Sequence, residues 1–386
     1  MKKATKFVAF AMTAALGLSA LAGCQGGGSA TGDASILKIG GIGPTTGGAA
    51  MYGLGVKHAA ELAVDEINAK GGVNGMKLEF RFEDDEHDAE KAVNAYNTLK
   101  DWGMQVLMGT VTSTPCVAVK DKTYEDKMFQ LSPSGSSVDC VKYDNAFRVC
   151  FSDPNQGTAS AKYIGQNNLA QKVAVIYDSS DVYSTGIYQN FAAEAANQNF
   201  EIVAAEAFTA DSKSDFSVQV QKAQSAGADM IFLPIYYNEA SLILTQANKV
   251  GYNVKFFGCD GLDGLLQVKN FDTSLAEGVM LLTPFAADAK DEKTQTFVKA
   301  YTERFNEAPN QFAADAYDAI YTIAAAAEKS AVKGDMTIAE ICDGLKGAMT
   351  QITIEGLTGT ITWDAKGEPT KEPKAMKIAD GNYTAM

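Results

Sequence analysis

Two clusters of hydroxyl-bearing residues each follow a short apolar run. Met108 to Cys116 reads MGTVTSTPC, and Leu131 to Cys140 reads LSPSGSSVDC, with four serines within six positions. Further along, Tyr183 follows the run VIYD, Tyr236 follows IFLPI and Asp260 follows FFGC. Neutral hydroxyls such as those of Ser113, Ser134 and Ser136 donate to a carboxylate. A helix opening at Thr114-Pro115 would add backbone N–H donors and the positive end of its dipole. Asp260 supplies the opposite pole, a charge-assisted acceptor for an ammonium group. If these run-ends meet, the chemistry they specify is recognition of a zwitterion, and an α-amino acid fits. Taken singly, each residue has a plainer use. Serines after strands form turns and caps, tyrosines bury a ring and wet a hydroxyl, and Asp260 could cap a following helix.

Whether the groups meet depends on the elements beneath them. ILKIGGI (36–42) predicts a strand, and Val56, Ala59, Ala60, Ala63 and Ile67 mark one face of a helix. That helix should stop at Gly71 or Gly72. KLEFRFEDD alternates Leu78, Phe80 and Phe82 as a strand does. The second half keeps the rhythm, with KVAVIYD (172–178), ADMIFLPIY, VKFFGCD and GVMLLTPF separated by helical stretches. Strands alternating with helices imply parallel sheets with helices on both faces. The length of 386 residues exceeds the size of about 250–300 residues at which single cores stop growing. The predicted fold is therefore α/β in two lobes. Ligands of such sheets lie outside the carboxyl ends of the strands, where the serines, tyrosines and Asp260 fall. Breaks at FSDPNQG (151–157) and LLTPF (281–285), and the hairpin-like GLTGTITWDAKGEP (356–369), mark three candidate crossovers.

Several function classes are argued against. The formal charge is −14, with no Lys/Arg block outside the extreme N-terminus, so nucleic acid is a poor partner. EDDEHDAE (83–90) surrounds His87 with acids but lacks the central glycine of a calcium loop. Acids are favourable at a helix start without any ion, and no metal is expected. GGIGPTTGG (40–48) lacks the third glycine of the dinucleotide fingerprint, so no cofactor is expected either. With two histidines and no GxSxG elbow, little remains from which to build a nucleophile–base pair, and the chain does not read as an enzyme. Beyond Cys24 there are Cys116, Cys140, Cys150, Cys259 and Cys342, an odd number that leaves a thiol unpaired. Cys116, Cys140 and Cys150 are near enough in sequence for a local bridge, and spacing does not select the pair.

The N-terminus reads as a targeting segment. Lys2, Lys3 and Lys6 precede the apolar FVAFAMTAALGLSALAG (7–23), too short for a stable anchor. The LAGC that ends at Cys24 resembles the bacterial lipobox, which implies a lipidated Cys24 at the mature N-terminus. A Gly/Ser-rich tether occupies 24–35. The alternative is an ordinary signal peptide with a cysteine nearby. The body is expected to be exported and held at the outer face of the cell membrane or in the periplasm by lipid.

In order along the chain, YGLGVKHAAELAVDEINAKGGVNGMKLEFRFEDDEHDAEKAV, MGTVTSTP, LSPSGSS, DPNQG and GTITWDAKG resemble the leucine/isoleucine/valine-binding protein family. These are type I periplasmic binding proteins of branched-chain amino acid ABC transporters, and the likeness spans nearly all of 36–370. It implies a Venus flytrap with lobe 1 from 36–151 and 285–356 and lobe 2 from 152–284 and 357–386. By the same resemblance Ser113, Ser134 and Ser136 hold the ligand's charged ends, and Tyr52, Tyr183 and Tyr236 contact it. Asp260 is the ammonium-binding acid, where the family pattern has glutamate. Val111, Gly135 and Phe312 match side-chain pocket positions. The implied function is capture of an amino acid, branched-chain or otherwise apolar, by a monomer that delivers it to an ABC permease. The rival readings are a ligand-sensing receptor component on the same scaffold, or a binder of a short-chain amide or urea-type ligand.

Overall fold

The computed structural model describes residues 33–386. The expected leader, Cys24 and nearly all of the tether lie outside them. Strands β1 (Ile36–Gly43), β2 (Lys77–Asp84), β3 (Val106–Gly109), β4 (Phe129–Ser132) and β5 (Ala146–Arg148) form a parallel sheet in the order β2-β1-β3-β4-β5. Every residue of β3, β4 and β5 is buried, the mark of a sheet covered on both faces. Helices α1 (Ala50–Ala69), α2 (Ala89–Trp102) and α3 (Ser113–Glu125) connect the strands. Helix α1 ends where Gly71 and Gly72 turn left-handed (φ 108° and 80°), and Gly72 N donates to Ile67 O at 2.9 Å. A Cβ on Gly72 would stand 1.8 Å from Met76 O, so this stop demands glycine. Asp88 caps α2 by accepting from Lys91 N at 2.8 Å. The acids of 83–90 thus serve the strand end and the helix start. Among the described residues no group of three or more His, Cys, Asp or Glu is placed to hold a metal ion.

The chain then enters α4 (Asp153–Gln166), β6 (Lys172–Asp178), α5 (Val182–Ala195), β7 (Glu201–Phe208), α6 (Ser217–Ser225), β8 (Met230–Leu233), α7 (Tyr237–Lys249), β9 (Lys255–Gly258) and β10 (Met280–Thr283). These strands build a second sheet, ordered β14-β13-β10-β9-β8-β6-β7. Its core is parallel, and β13 (Lys374–Ala379) and β14 (Asn382–Ala385) add an antiparallel edge. Helices α4 and α5 pack on each other and on one face. Between β10 and β13 the chain returns to the first lobe for α8 (Glu292–Phe305), α9 (Gln311–Ser330) and α10 (Ile338–Met349). Alanines on α9 (Ala313, Ala316, Ala319) and α1 (Ala59, Ala60, Ala63) are wholly buried, which lets the two helices approach closely. The two-lobed α/β architecture with three crossings is the predicted one. The third crossing differs in position. The hairpin β11 (Ile354–Gly356) and β12 (Gly359–Ile361) stays with lobe 1. So does the stretch after it: Trp363 Nε1 donates to Arg148 O at 2.7 Å and Arg148 N to Gly367 O at 3.1 Å. Lys371, buried, pairs with Asp315 of α9 at 2.8 Å. The chain therefore leaves lobe 1 after Lys371 rather than at 357. Pairing with β5 and α9 holds the segment where strand alternation alone gave no warning.

Candidate functional site

The carboxyl ends of both sheets face one another across a crevice. From lobe 1 come Tyr52 near the start of α1, the turn Val111–Ser113 after β3, Ser134 after β4, and Phe312 on α9. From lobe 2 come Tyr183 on α5, Tyr236 before α7, and Asp260-Gly261 after β9. They line one small, narrow cavity between the lobes, far below the roughly 300–1,000 Å³ of pockets for drug-sized ligands.

The serine clusters divide into two jobs. Ser132 Oγ donates to Thr110 O at 2.7 Å and Ser134 Oγ to Val111 O at 2.6 Å, lacing the β4 loop to the β3 loop. The Ser113 hydroxyl accepts the amides of Ser136 and Ser137, each at 3.1 Å, and lies 3.4 Å from Ser136 Oγ. Ser113 is the first residue of α3, so its hydroxyl stands at the positive end of that helix. Pro115 occupies the first turn, where its missing N–H is no loss. Ser136 is wholly buried beside Ser113 and is not on the cavity wall. Gly135 is not there either. Its Cβ direction points at Ser132 Oγ (2.7 Å) and Cys116 Sγ (3.1 Å), so this glycine makes room for the protein's own cysteine rather than for a side-chain pocket.

On the opposite wall Asp260 is 4% exposed. It accepts from Tyr183 Oη at 2.7 Å and Gln156 Nε2 at 3.1 Å. Burial pushes its carboxyl up to about 7 against the pull of those bonds. Burial also holds the phenols of Tyr52, Tyr183 and Tyr236 neutral by raising them well above the ordinary value. Tyr183 and Tyr236 stack at 4.9 Å, and Tyr52 lies 4.2 Å from Phe312. The wall between the two poles is thus aromatic and apolar.

The lobes are closed on each other. Tyr52 Oη donates across the cleft to Gly261 O at 2.5 Å, Met51 N donates to Tyr237 Oη at 3.2 Å, and Thr114 Oγ1 donates to Asp181 at 2.9 Å. His87, between β2 and α2, has Nδ1 2.9 Å from Thr112 Oγ1 and lies edge-on to Tyr236 at 5.3 Å. Tyr236 also walls a second opening of about 60 Å³, lined by His87, Asp178, Asp181, Lys213 and Glu239 among others. That opening is strongly charged and lacks the two-pole arrangement of the smaller cavity.

Sequence reasoning missed Thr112, Gln156 and Gly261. Gln156 sits in DPNQG, which reads only as a break between lobes, yet it orients Asp260 from α4. Gly261 has a detectable signal, a glycine directly after the acid: a Cβ there would lie 2.6 Å from both Ile235 O and Tyr183 Oη.

A family model described as periplasmic binding protein matches residues 36–382. The leucine-, isoleucine-, valine-, threonine- and alanine-binding protein of Pseudomonas aeruginosa is 27% identical over 337 residues, 87% of each chain. A Leu/Ile/Val-binding protein homolog of Brucella melitensis is 30% identical, over 86% of this chain and 88% of that one. Among solved structures, the branched-chain amino acid transporter substrate binding protein LivJ of Streptococcus pneumoniae, in complex with isoleucine, superposes with a TM-score of 0.82 at 30% identity. The match covers 91% of this chain and 98% of that one.

Proposed function

Because the chain belongs to the periplasmic binding protein family, we propose that it captures an α-amino acid between its lobes and hands it to an ABC permease. The carrying observation is that Ser113 and Asp260 stand in one small closed cavity to which both lobes contribute. In this reading the ligand carboxylate meets the hydroxyl of Ser113, which Ser136 backs from behind, and the N-terminus of α3. The ammonium meets Asp260, which Tyr183 and Gln156 orient. Tyr52, Val111 and Phe312 bound an apolar side chain, with Ser134 and Tyr236 completing the wall. Burying a zwitterion is tolerable only when each pole is paired, since an unpaired buried charge is costly. Pairing one pole from each lobe is how closure would answer that demand.

The relatives' named ligands support an amino acid of branched or small side chain. The export leader and lipidation at Cys24 complete the proposal, with lobe 1 from 36–151 and from 285 to about Lys371, and the remainder of 152–386 as lobe 2. Calorimetric titration with the common amino acids, their N-acyl and decarboxylated analogues, and short-chain amides tests it. Amino acids should bind with one-to-one stoichiometry, and both classes of analogue should fail. Tighter binding of an amide or urea-type ligand than of any amino acid would overturn it.

A further inference from the structure

The turn that carries Asp260 grips the other lobe a second time, through Asp263. After β9 the chain makes the single turn Asp260–Leu262, in which Leu262 N donates to Cys259 O at 3.0 Å and Asp263 N to Asp260 O at 2.9 Å. Those bonds make Asp260 and Asp263 the two ends of one short, stiff piece. Tyr383 of β14 braces it: its hydroxyl accepts from Gly264 N and donates to Leu262 O, each at 3.2 Å. Asp263 is buried, and its Oδ2 accepts the Gln311 amide at 2.6 Å. Gln311 is the first residue of α9, in lobe 1, and the next residue is Phe312 on the cavity wall. Helix α9 has a cap of its own lobe, since Asn310 Oδ1 accepts from Ala313 N at 2.9 Å. That cap leaves the earlier amides without a partner inside the helix. A carboxylate from the opposite lobe takes the first of them, at the positive end of the helix dipole.

The turn is thus fixed to lobe 1 on both sides of Leu262, by Tyr52 at Gly261 O and by Gln311 at Asp263. Gln311 is held by its side chain as well, where Thr283 Oγ1 at the end of β10 donates to Oε1 at 2.6 Å. We propose that Asp263 is a positioning residue of the cleft, whose bond to the Gln311 amide sets the spacing between Asp260 and Phe312 and with it the size of side chain the cavity accepts. Asp263 is not on the cavity wall; it acts through the two wall segments that it joins. With the bond in place, the ammonium-binding acid and the apolar wall stand at one fixed separation. In a pocket so held, one methylene more or less changes discrimination about 10- to 200-fold. Without the bond, the turn and the start of α9 settle independently and that discrimination fades. The amino-acid identity of the ligand rests on the reading above, whereas the bond between the lobes does not.

The test measures Kd for L-leucine, L-isoleucine, L-valine and L-alanine in the full-length protein, in Asp263→Ala, in Gln311→Pro and in the double variant. Proline is favoured at the first helical position and has no N–H, so Gln311→Pro deletes the donor while α9 can still start. Thr283→Val removes only the side-chain bond to Gln311 and should keep the wild-type ratios among the four Kd values. Each single variant should weaken the tightest of the four about tenfold and shrink its lead over the weakest by a similar factor. The double variant should lose no more than the worse single one, because both delete the same bond. Losses equal for all four amino acids, losses that multiply in the double variant, or the same effect from Thr283→Val overturn the proposal. Should Asp263→Ala not fold, Asp263→Asn, which keeps the shape and an acceptor, takes its place with a smaller loss of the same pattern. Hydrogen exchange at the Gln311 amide reads the bond without any ligand: it should be slow in the wild type and faster in the Asp263 variant, and equal rates overturn the role. If the wild type binds none of the four, the amino-acid reading falls and the exchange rates alone decide for Asp263.

Discussion

Asp260 sits in the closed cleft without a counter-charge, and on the proposed amino-acid reading its titration should set the pH dependence of binding. Its carboxyl is raised to about 7 by burial, and a bound ammonium would bring it down again. Binding a zwitterion below pH 7 therefore releases a proton, and affinity should fall about tenfold per unit of further acidification. Calorimetry in buffers of different ionisation enthalpy reads that proton directly. The same shift has a stability side. The ligand-free closed form binds more protons than the unfolded chain between the ordinary value of 3.8 and about 7. This group's contribution to stability is thus favourable in acid and is lost as pH rises through that window. Asp260→Asn should weaken amino-acid binding by about 3 kcal/mol, more than a hundredfold, the range for deleting one side of a buried charge pair. The Tm of the ligand-free variant at pH 8 should not fall, because an uncompensated buried charge has been removed. An unchanged Kd would remove Asp260 from the site.

At the scale of elements, the short turn after β9 matters more than its length suggests. Gly261 brings its backbone between Ile235 O and Tyr183 Oη, and its own carbonyl receives Tyr52 from the other lobe. In Gly261→Ala the new Cβ meets a backbone oxygen that cannot rotate aside. The turn must shift, loosening the Tyr183–Asp260 bond. We expect about a tenfold loss of affinity, roughly 1.4 kcal/mol, with the secondary structure retained by circular dichroism; wild-type affinity would show that the turn tolerates the methyl. The α3 end is built differently. Its serines hold each other and the loop backbone, so the hydroxyl array is positioned before any ligand arrives, which lowers the ordering cost of binding.

At the scale of the molecule, closure is held by a few cross-lobe hydrogen bonds and by apolar contact around Tyr52 and Tyr237, whose rings meet at 5.0 Å. Tyr52→Phe keeps the ring and removes the hydroxyl bonded to Gly261 O. It should cost about 1 kcal/mol of closure, read as a several-fold weaker Kd and a larger ligand-induced change in radius of gyration by small-angle scattering. The third crossing depends on a buried charge pair instead. Lys371 is buried against Asp315 Oδ1 at 2.8 Å and Thr358 Oγ1 at 2.7 Å. Lys371→Met strands the Asp315 charge and should destabilise the protein by about 3–5 kcal/mol, measured by denaturant unfolding. A loss below about 1 kcal/mol, the size of an exposed pair, would mean that water reaches these two groups.

Much of this was legible in the chain itself, because hydrophobic periodicity and glycine stops are local properties. The apolar runs of β3, β4, β6 and β8, the stop at Gly71-Gly72 and the hydroxyls and acid at strand ends all declare themselves within a few residues. Tertiary structure alone decided what those residues face. It turned Gly135 toward Cys116 instead of the cavity, set Ser136 behind Ser113, carried 357–371 along lobe 1 before the final crossing, and placed Gln156 and Gly261 at Asp260. Each depends on contacts between segments far apart in sequence, and no periodicity within either segment encodes its distant partner.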